Sequence, residues 1–410
     1  MWRNWPAITE MNRLRAGQPH SGNRLRKDVR LKKLVWIVGI LQVLIGCVEG
    51  HAQEGVRQRL EVFSRYTRLR YNRVEGLFAG YHLAATPKAW KGIRFFAEVG
   101  YGLHNQKPRW EGGVDYDKGK RAFTFVLFDR TETNDRETVR SGENSLYALL
   151  YKGDYRDYFR AKYGFEAKGS YRYTPRLLLV GRLTAYTYES MPDKTQWSLF
   201  RRDSNFRSNP AVRPGRIGLL QTGFIYDTQS RGPLFRNAWY LSAFYERGFQ
   251  EFGYNGFILH AKRYQKVVVG SQAIVAQCRI GSRESAYEQH RFDLGGVSTL
   301  RGYRIKEFTG NRMAMLNIDY LFRGDILGRV PLKGVNLLQT ILFFDTGWTS
   351  LAARHTHLLN GFQELRLSDF KSDLGLAVAL PHQIFRVNIA CRLDGGDPPW
   401  VFSVRFMRKL

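Results

Sequence analysis

From about residue 66 to its end, this chain alternates apolar and polar residues with a period of two, the period of a half-buried strand. In FRVNIACRL, Phe385, Val387, Ile389, Cys391 and Leu393 point one way, and Arg386, Asn388, Ala390 and Arg392 the other. WVFSVRF sets Trp400, Phe402, Val404 and Phe406 against Ser403 and Arg405. RMAMLNIDYLF places Ala314, Leu316, Ile318, Tyr320 and Phe322 on one face, with Asn317 and Asp319 opposite. A soluble sandwich alternates too, so length has to decide. The segments run to about 10 to 15 residues, where globular strands average about five or six. That length suits tilted strands crossing a bilayer.

Composition points the same way. The 410 residues are 14% aromatic and include 40 glycines, yet mean hydropathy is −0.39. A helical membrane protein needs repeated apolar runs of about 20 residues. In an outer-membrane barrel only every second residue meets lipid, and aromatic residues gather at both interfaces. The net charge of +28 raises the question of nucleic acid. The arginines are dispersed through strand patterns, however, and do not form one patch, so no nucleic-acid partner is expected. A polar lumen and rims facing outer-membrane lipid and lipopolysaccharide account for the charge.

Fifteen candidate strands fall near 69–83, 91–104, 107–117, 120–130, 158–172, 176–190, 215–229, 236–251, 253–265, 268–281, 311–323, 335–346, 371–381, 383–394 and 399–407. Bacterial barrels normally close on an even number. The expectation is therefore an all-β, antiparallel transmembrane barrel of sixteen strands over residues 67–410, with one strand hidden in the weakly patterned first half. ENSLYALLYKGDYRDYF (143–159) breaks the rule: Leu146, Leu149 and Leu150 share a helical face. It reads as a short helix in a connection at the barrel rim, capping or plugging that end.

Residues 1–52 read as a signal region. Lys32 and Lys33 precede an apolar run from Leu34 to Ile45, and Ala52 offers a cleavage point. Some thirty residues stand before it, which an upstream translation start would explain. Leu44-Ile45-Gly46-Cys47 also resembles a lipobox; cleavage after Ala52 is preferred because a barrel needs no lipid anchor. Residues 53–66 then form a short periplasmic segment. Cys278 and Cys391 lie in separate strands with no metal-ligand spacing, so neither a disulfide nor a metal or cofactor is expected.

FDLGGVSTLRGYR (292–304) interrupts the strands with three glycines and an arginine wedged between Leu300 and Gly302. Taken alone, it fits equally an exposed loop with a solvated arginine and a loop folded back into the lumen. LGGVSTLRGY (294–303), GNRMAMLNIDYLF (310–322), LFFDTGW (342–348) and the closing WVFSVRF occur in an order that resembles the bacterial surface antigen, or outer-membrane protein 85, superfamily, which includes BamA and TamA. YNRVEGLFAGYHL (71–83) and DYRDYFRAKYGF (154–165) look like segments of a branch lacking POTRA domains. The resemblance implies that the loop enters the lumen, and that Arg301 pairs with Asp345 and Asp319 on the inner wall. Gly295, Gly296, Gly302 and Tyr303 complete the loop motif. It also implies that Trp400, Phe402 and Phe406 form the terminal-strand signal, although Met407 to Leu410 extend beyond the usual aromatic end. With no room for a periplasmic domain between 53 and 66, a periplasmic partner protein would have to supply one.

No G-x-S-x-G elbow, H-E-x-x-H or phosphate-cradling glycine loop occurs, so an enzyme is not expected. The resemblance implies protein or lipid insertion or translocation at the outer membrane. The alternative is a passive or gated channel, or a structural barrel.

Overall fold

A computed structural model describes residues 66–201, 203–229, 237–267, 272–322, 338–363, 365–380 and 385–406. The expected signal region with Cys47, the expected periplasmic segment up to residue 65 and the tail 407–410 lie outside the described residues. Everything described belongs to one compact unit, Glu61–Leu410.

The unit is a sixteen-stranded antiparallel sheet in which each barrel strand pairs with the next along the chain. Its first strands are β1 (Thr67–Asn72), β2 (Gly76–Ala85), β3 (Ile93–Gly102), β4 (Lys107–Asp117) and β5 (Arg121–Glu132). A helix, α1 (Ser141–Tyr151), precedes β6 (Phe159–Arg172), β7 (Leu177–Ser190), β8 (Gly215–Asp227), β9 (Ala238–Gln250), β10 (Tyr254–Lys266) and β11 (Ala273–Arg283). A small separate hairpin, β12 (Phe292–Leu294) with β13 (Phe308–Gly310), interrupts the barrel. The sheet then resumes with β14 (Arg312–Leu321), β15 (Gln339–Ser350), β16 (Lys371–Ala379), β17 (Phe385–Arg392) and β18 (Trp400–Phe406).

The sixteenth strand comes from splitting the 69–83 segment. It folds as a hairpin, β1 against β2 with Asn72 opposite Gly76, turning through Arg73, Val74 and Glu75. The turn carries no Pro or Asn-Gly signal, and alternation continues on both sides. Gly76, at φ +66°, is its sole backbone punctuation.

The outer face is apolar, as a lipid-facing surface requires: Leu83, Val99, Leu127 and Phe402 are each about half exposed or more. Trp400 and Phe402 lie on this face, and Cys278 and Cys391 are free thiols in β11 and β17. The inner face is not uniformly polar. Leu321, Ile341, Phe343, Ala377, Ala379 and Ala390 form a buried apolar floor on the inner wall of β14 to β17.

Antiparallel neighbours alternate direction, so successive connections alternate between the two ends. The long connections 133–158, 191–214, 284–311 and 351–370 all leave one end. In the first of these, α1 stops short of the 143–159 span: Lys152 turns left-handed at φ 64°, and 153–158 lead into β6 without regular structure. Nor does it bury a leucine face. Glu143, Asn144, Ser145, Tyr147, Ala148 and Leu149 are buried: the polar residues bond to strand ends and neighbouring connections, and Tyr147 packs with Val139 and Tyr155. Instead of merely covering a rim, α1 bonds to both ends of the sheet. Ser145 Oγ accepts from the Tyr71 N–H of β1 at 3.1 Å, and Glu143 Oε1 from the Phe406 N–H of β18 at 3.2 Å.

Candidate functional site

The connection from β11 to β14 folds back onto the inner wall. Its hairpin β12–β13 ends at Gly295 (φ +115°) and Gly296 (φ +94°). A Cβ on Gly295 would stand 2.1 Å from the Arg304 carbonyl oxygen, so only glycine lets the chain cross itself there. Gly295 N–H donates to Thr299 Oγ1 at 2.8 Å, and Gly296 N–H to the Leu300 carbonyl at 3.0 Å. The two bonds close the turn at the tip. Leu294, Leu300 and Tyr303 then pack against Met313 and Met315 of β14. Gly302 permits the final approach: its N–H donates to Asp373 Oδ2 at 2.9 Å, and a Cβ would meet the Asp373 Cβ at 2.6 Å.

This geometry delivers Arg301 to the wall. Its Nε and Nη2 donate to the two oxygens of Asp345 at 2.7 and 2.5 Å, the forked arrangement that lysine cannot reproduce. Its backbone N–H adds a third bond to Asp345 at 3.1 Å. Nη2 also lies 2.8 Å from Asp319 Oδ1. Asp319 is shared with Arg386 at 2.6 Å, and Asn317 Nδ2 donates to Asp345 at 2.7 Å. Arg301 lies over the Phe343 ring, 3.8 Å from its centroid. The apolar floor therefore desolvates the ion cluster from below. Asp345 is fully buried and the Arg301 side chain is 8% exposed. Burial works against the guanidinium charge, but Asp319 and Asp345 outweigh it and hold Arg301 protonated beyond arginine's ordinary range.

The remaining motif residues divide. Tyr303 donates to the Ser372 carbonyl at 3.0 Å, with Arg392 over its ring. Trp400 and Phe402 stay apart from the loop, on the outside. Phe406 packs on Phe385 and on Tyr147 of α1, ring centroids 5.4 and 6.2 Å away. Arg405 reaches Glu143 of α1 at 3.4 Å and the Val297 carbonyl of the loop at 3.4 Å.

Two ion clusters escaped sequence reasoning. Lys306 Nζ sits among Asp135, Asp157 and Asp293 at 2.7, 2.8 and 2.8 Å. Burial opposes its charge, yet the three carboxylates hold it above the ordinary lysine value. Arg73, fully buried in the β1–β2 turn, meets Asp154, Asp157 and Asp193 at 3.2, 2.9 and 3.4 Å. Asp157 thus joins three connections through two cations. No local signal marks such pairs, whose members lie up to 171 residues apart. Beside the loop, His290 is buried between Ser285 Oγ (2.7 Å) and Tyr188 (3.3 Å), and burial followed by the Arg283 charge pulls it down to about 3. Among the described residues, no group of His, Cys, Asp and Glu has the makings of a metal site.

With the geometry in hand, solved structures supply a comparison. BamA from Haemophilus ducreyi lacking POTRA domains 1–3 superposes with a TM-score of 0.51 at 11% identity, over 82% of this chain and 69% of that one. The fold is that of a bacterial outer-membrane β-barrel. CdiB from Acinetobacter baumannii aligns with a TM-score of 0.43 at 14% identity over 83% of this chain, and this barrel spans 58% of its length. CdiB from Escherichia coli gives 0.44 at 12% identity, covering 83% and 61%. In sequence, the model of a family of unknown function, the DUF5686 C-terminal domain, matches residues 47–218 of the barrel chain. No curated protein matches it.

Proposed function

We propose that this barrel aids insertion or translocation of proteins or lipids at the bacterial outer membrane, in the manner of a BamA-like barrel. The warrant is fold analogy joined to one observation of this chain: the 284–311 connection is clamped inside by the Arg301–Asp345–Asp319 cluster. A freely conducting pore gains nothing from a buried ion lock across its interior, whereas a barrel that works at its wall needs its contents fixed. The contact of α1 with both β1 and β18 supports the same reading, since the junction between first and last strands is where such a wall would yield. In this reading the client is an unfolded barrel chain or a lipid, lipopolysaccharide surrounds the outer belt, and a separate periplasmic protein delivers the client.

Deleting the gene and quantifying outer-membrane proteins tests the proposal. Loss of a subset of barrels is expected, and an unchanged profile refutes it. Planar-bilayer recording addresses the channel alternative. The native protein is expected to show no steady conductance; a large conductance that rises further in Arg301→Ala would identify a gated pore instead.

A further inference from the structure

A cavity of about 390 Å³ lies between the first five strands and α1. Five arginines line it, Arg70, Arg109, Arg130, Arg136 and Arg156, against three glutamates, Glu98, Glu111 and Glu132. Every one of those glutamates is already engaged: Glu98 by Arg68 at 3.2 Å, Glu111 by Arg130 at 2.7 Å, and Glu132 by Arg130 at 3.1 Å and by Arg136. Arg70 is held by Glu75 at 2.8 Å.

Arg109 and Arg156 are different. They are 4% and 9% exposed, and among the described residues neither has a carboxylate within ion-pairing distance. Arg109 donates from Nε to Thr131 Oγ1 at 3.2 Å and from Nη1 to the Pro108 carbonyl at 2.9 Å. Arg156 spends Nε and Nη2 on the Val139 carbonyl at 2.9 and 2.6 Å. Among the described residues each keeps a terminal nitrogen without a hydrogen bond, and both side chains line the same cavity. The nearest carboxylate link is indirect, Thr131 donating to Glu75 at 2.7 Å, and a buried charge with no directly paired counter-ion is costly. The start of α1 faces the same cavity: Ser141 and Ser145 line it, the helix has 11 residues, and no cap side chain satisfies its first turn. The acidic residue of that turn, Glu143, is taken up by Arg405 and by the Phe406 N–H.

We infer that this cavity is a binding site for a phosphate-type oxyanion, held by Arg109 and Arg156 and by the amino end of α1. Guanidinium forks match the oxygen spacing of such an anion, and helix N–H groups supply the remaining donors. The volume admits an anion or a lipid headgroup but not acyl chains, so the same chemistry could arrive free in solution or at the end of a lipid. This inference does not depend on the proposed function, and its test does not read assembly.

Orthophosphate and short-chain phosphatidic acid are titrated separately into the purified full-length protein in zwitterionic detergent, with ionic strength held constant by chloride. Saturable binding of orthophosphate near one per chain is expected. Arg109→Gln and Arg156→Gln should each weaken it by about tenfold or more, as loss of a charge-assisted contact does. Arg94→Gln, which removes an exposed pair with Asp115, should leave binding unchanged. Tighter binding of phosphatidic acid, lost in the same variants, identifies a lipid-borne anion; equal or weaker binding identifies a free one. No saturable binding of either probe, or undiminished binding in both variants, overturns the inference. Should the variants not fold, the native protein decides alone: its unfolding temperature must rise with phosphate over matched chloride, and no rise overturns it.

Discussion

The Arg301 lock makes a quantitative prediction because its two carboxylates are unequally supported. Arg301→Ala leaves Asp345 with Asn317 as its remaining side-chain donor, directly across the sheet from Asp373. Asp319 keeps Arg386 at 2.6 Å. Removing one member of a buried ion pair costs about 3–5 kcal/mol, most of it the price of the charge left behind. Arg301→Ala is expected in that range. Asp345→Ala should cost less, about 2–3 kcal/mol, since Arg301 retains Asp319 at 2.8 Å and the Phe343 face. Both variants delete one contact, so the double mutant should fall short of the summed losses by about 2 kcal/mol. Urea unfolding of the detergent-folded barrel, followed by tryptophan fluorescence, supplies the free energies. Loss of the fast-migrating folded band on unheated gels gives an independent reading. Losses that add to within about 0.5 kcal/mol would refute a direct, energetically coupled pair.

Gly295→Ala should lower the unfolding temperature and expose the 284–311 connection to added protease, because φ +115° and a carbonyl 2.1 Å from the new Cβ leave the loop no unstrained path; native-like protease resistance would contradict this. His290 has a folded value of about 3, below its unfolded value of about 6.5. The unfolded chain therefore binds the extra proton between those limits, and stability falls as pH drops from 6.5 towards 3. A pH series of urea midpoints should show that slope in the native barrel and a shallower one in His290→Gln.

Architecture was legible wherever the bilayer imposes it. Lipid outside and polar interior inside force a strict alternation, so FRVNIACRL and WVFSVRF disclose their faces without any neighbour. The short β1–β2 hairpin escaped because its turn has no proline and no Asn-Gly pair: the Asn72 side chain accepts from the Val74 and Glu75 N–H groups at 3.1 and 2.7 Å instead. Helix α1 was visible by its spacing, but its buried face was not. Hydrophobic reasoning selects Leu146 and Leu150, whereas this interior takes Glu143, Asn144 and Ser145. The apolar floor under Arg301 also departs from a wholly polar lumen, and its small residues explain why. Gly375 and Ala377 make space for Phe343: a Cβ on Gly375 would stand 2.3 Å from that ring. Lys306 and Arg73 were illegible in principle, since their partners converge only after the connections fold together.

Because Arg405 touches both Glu143 and the Val297 carbonyl, the closing strand, the helix and the arginine-bearing loop are fastened at a single knot. Force that peels β18 outward is thus transmitted at once to the contents of the barrel. The seam can open over a stationary filling only if the Arg405 contacts are broken first.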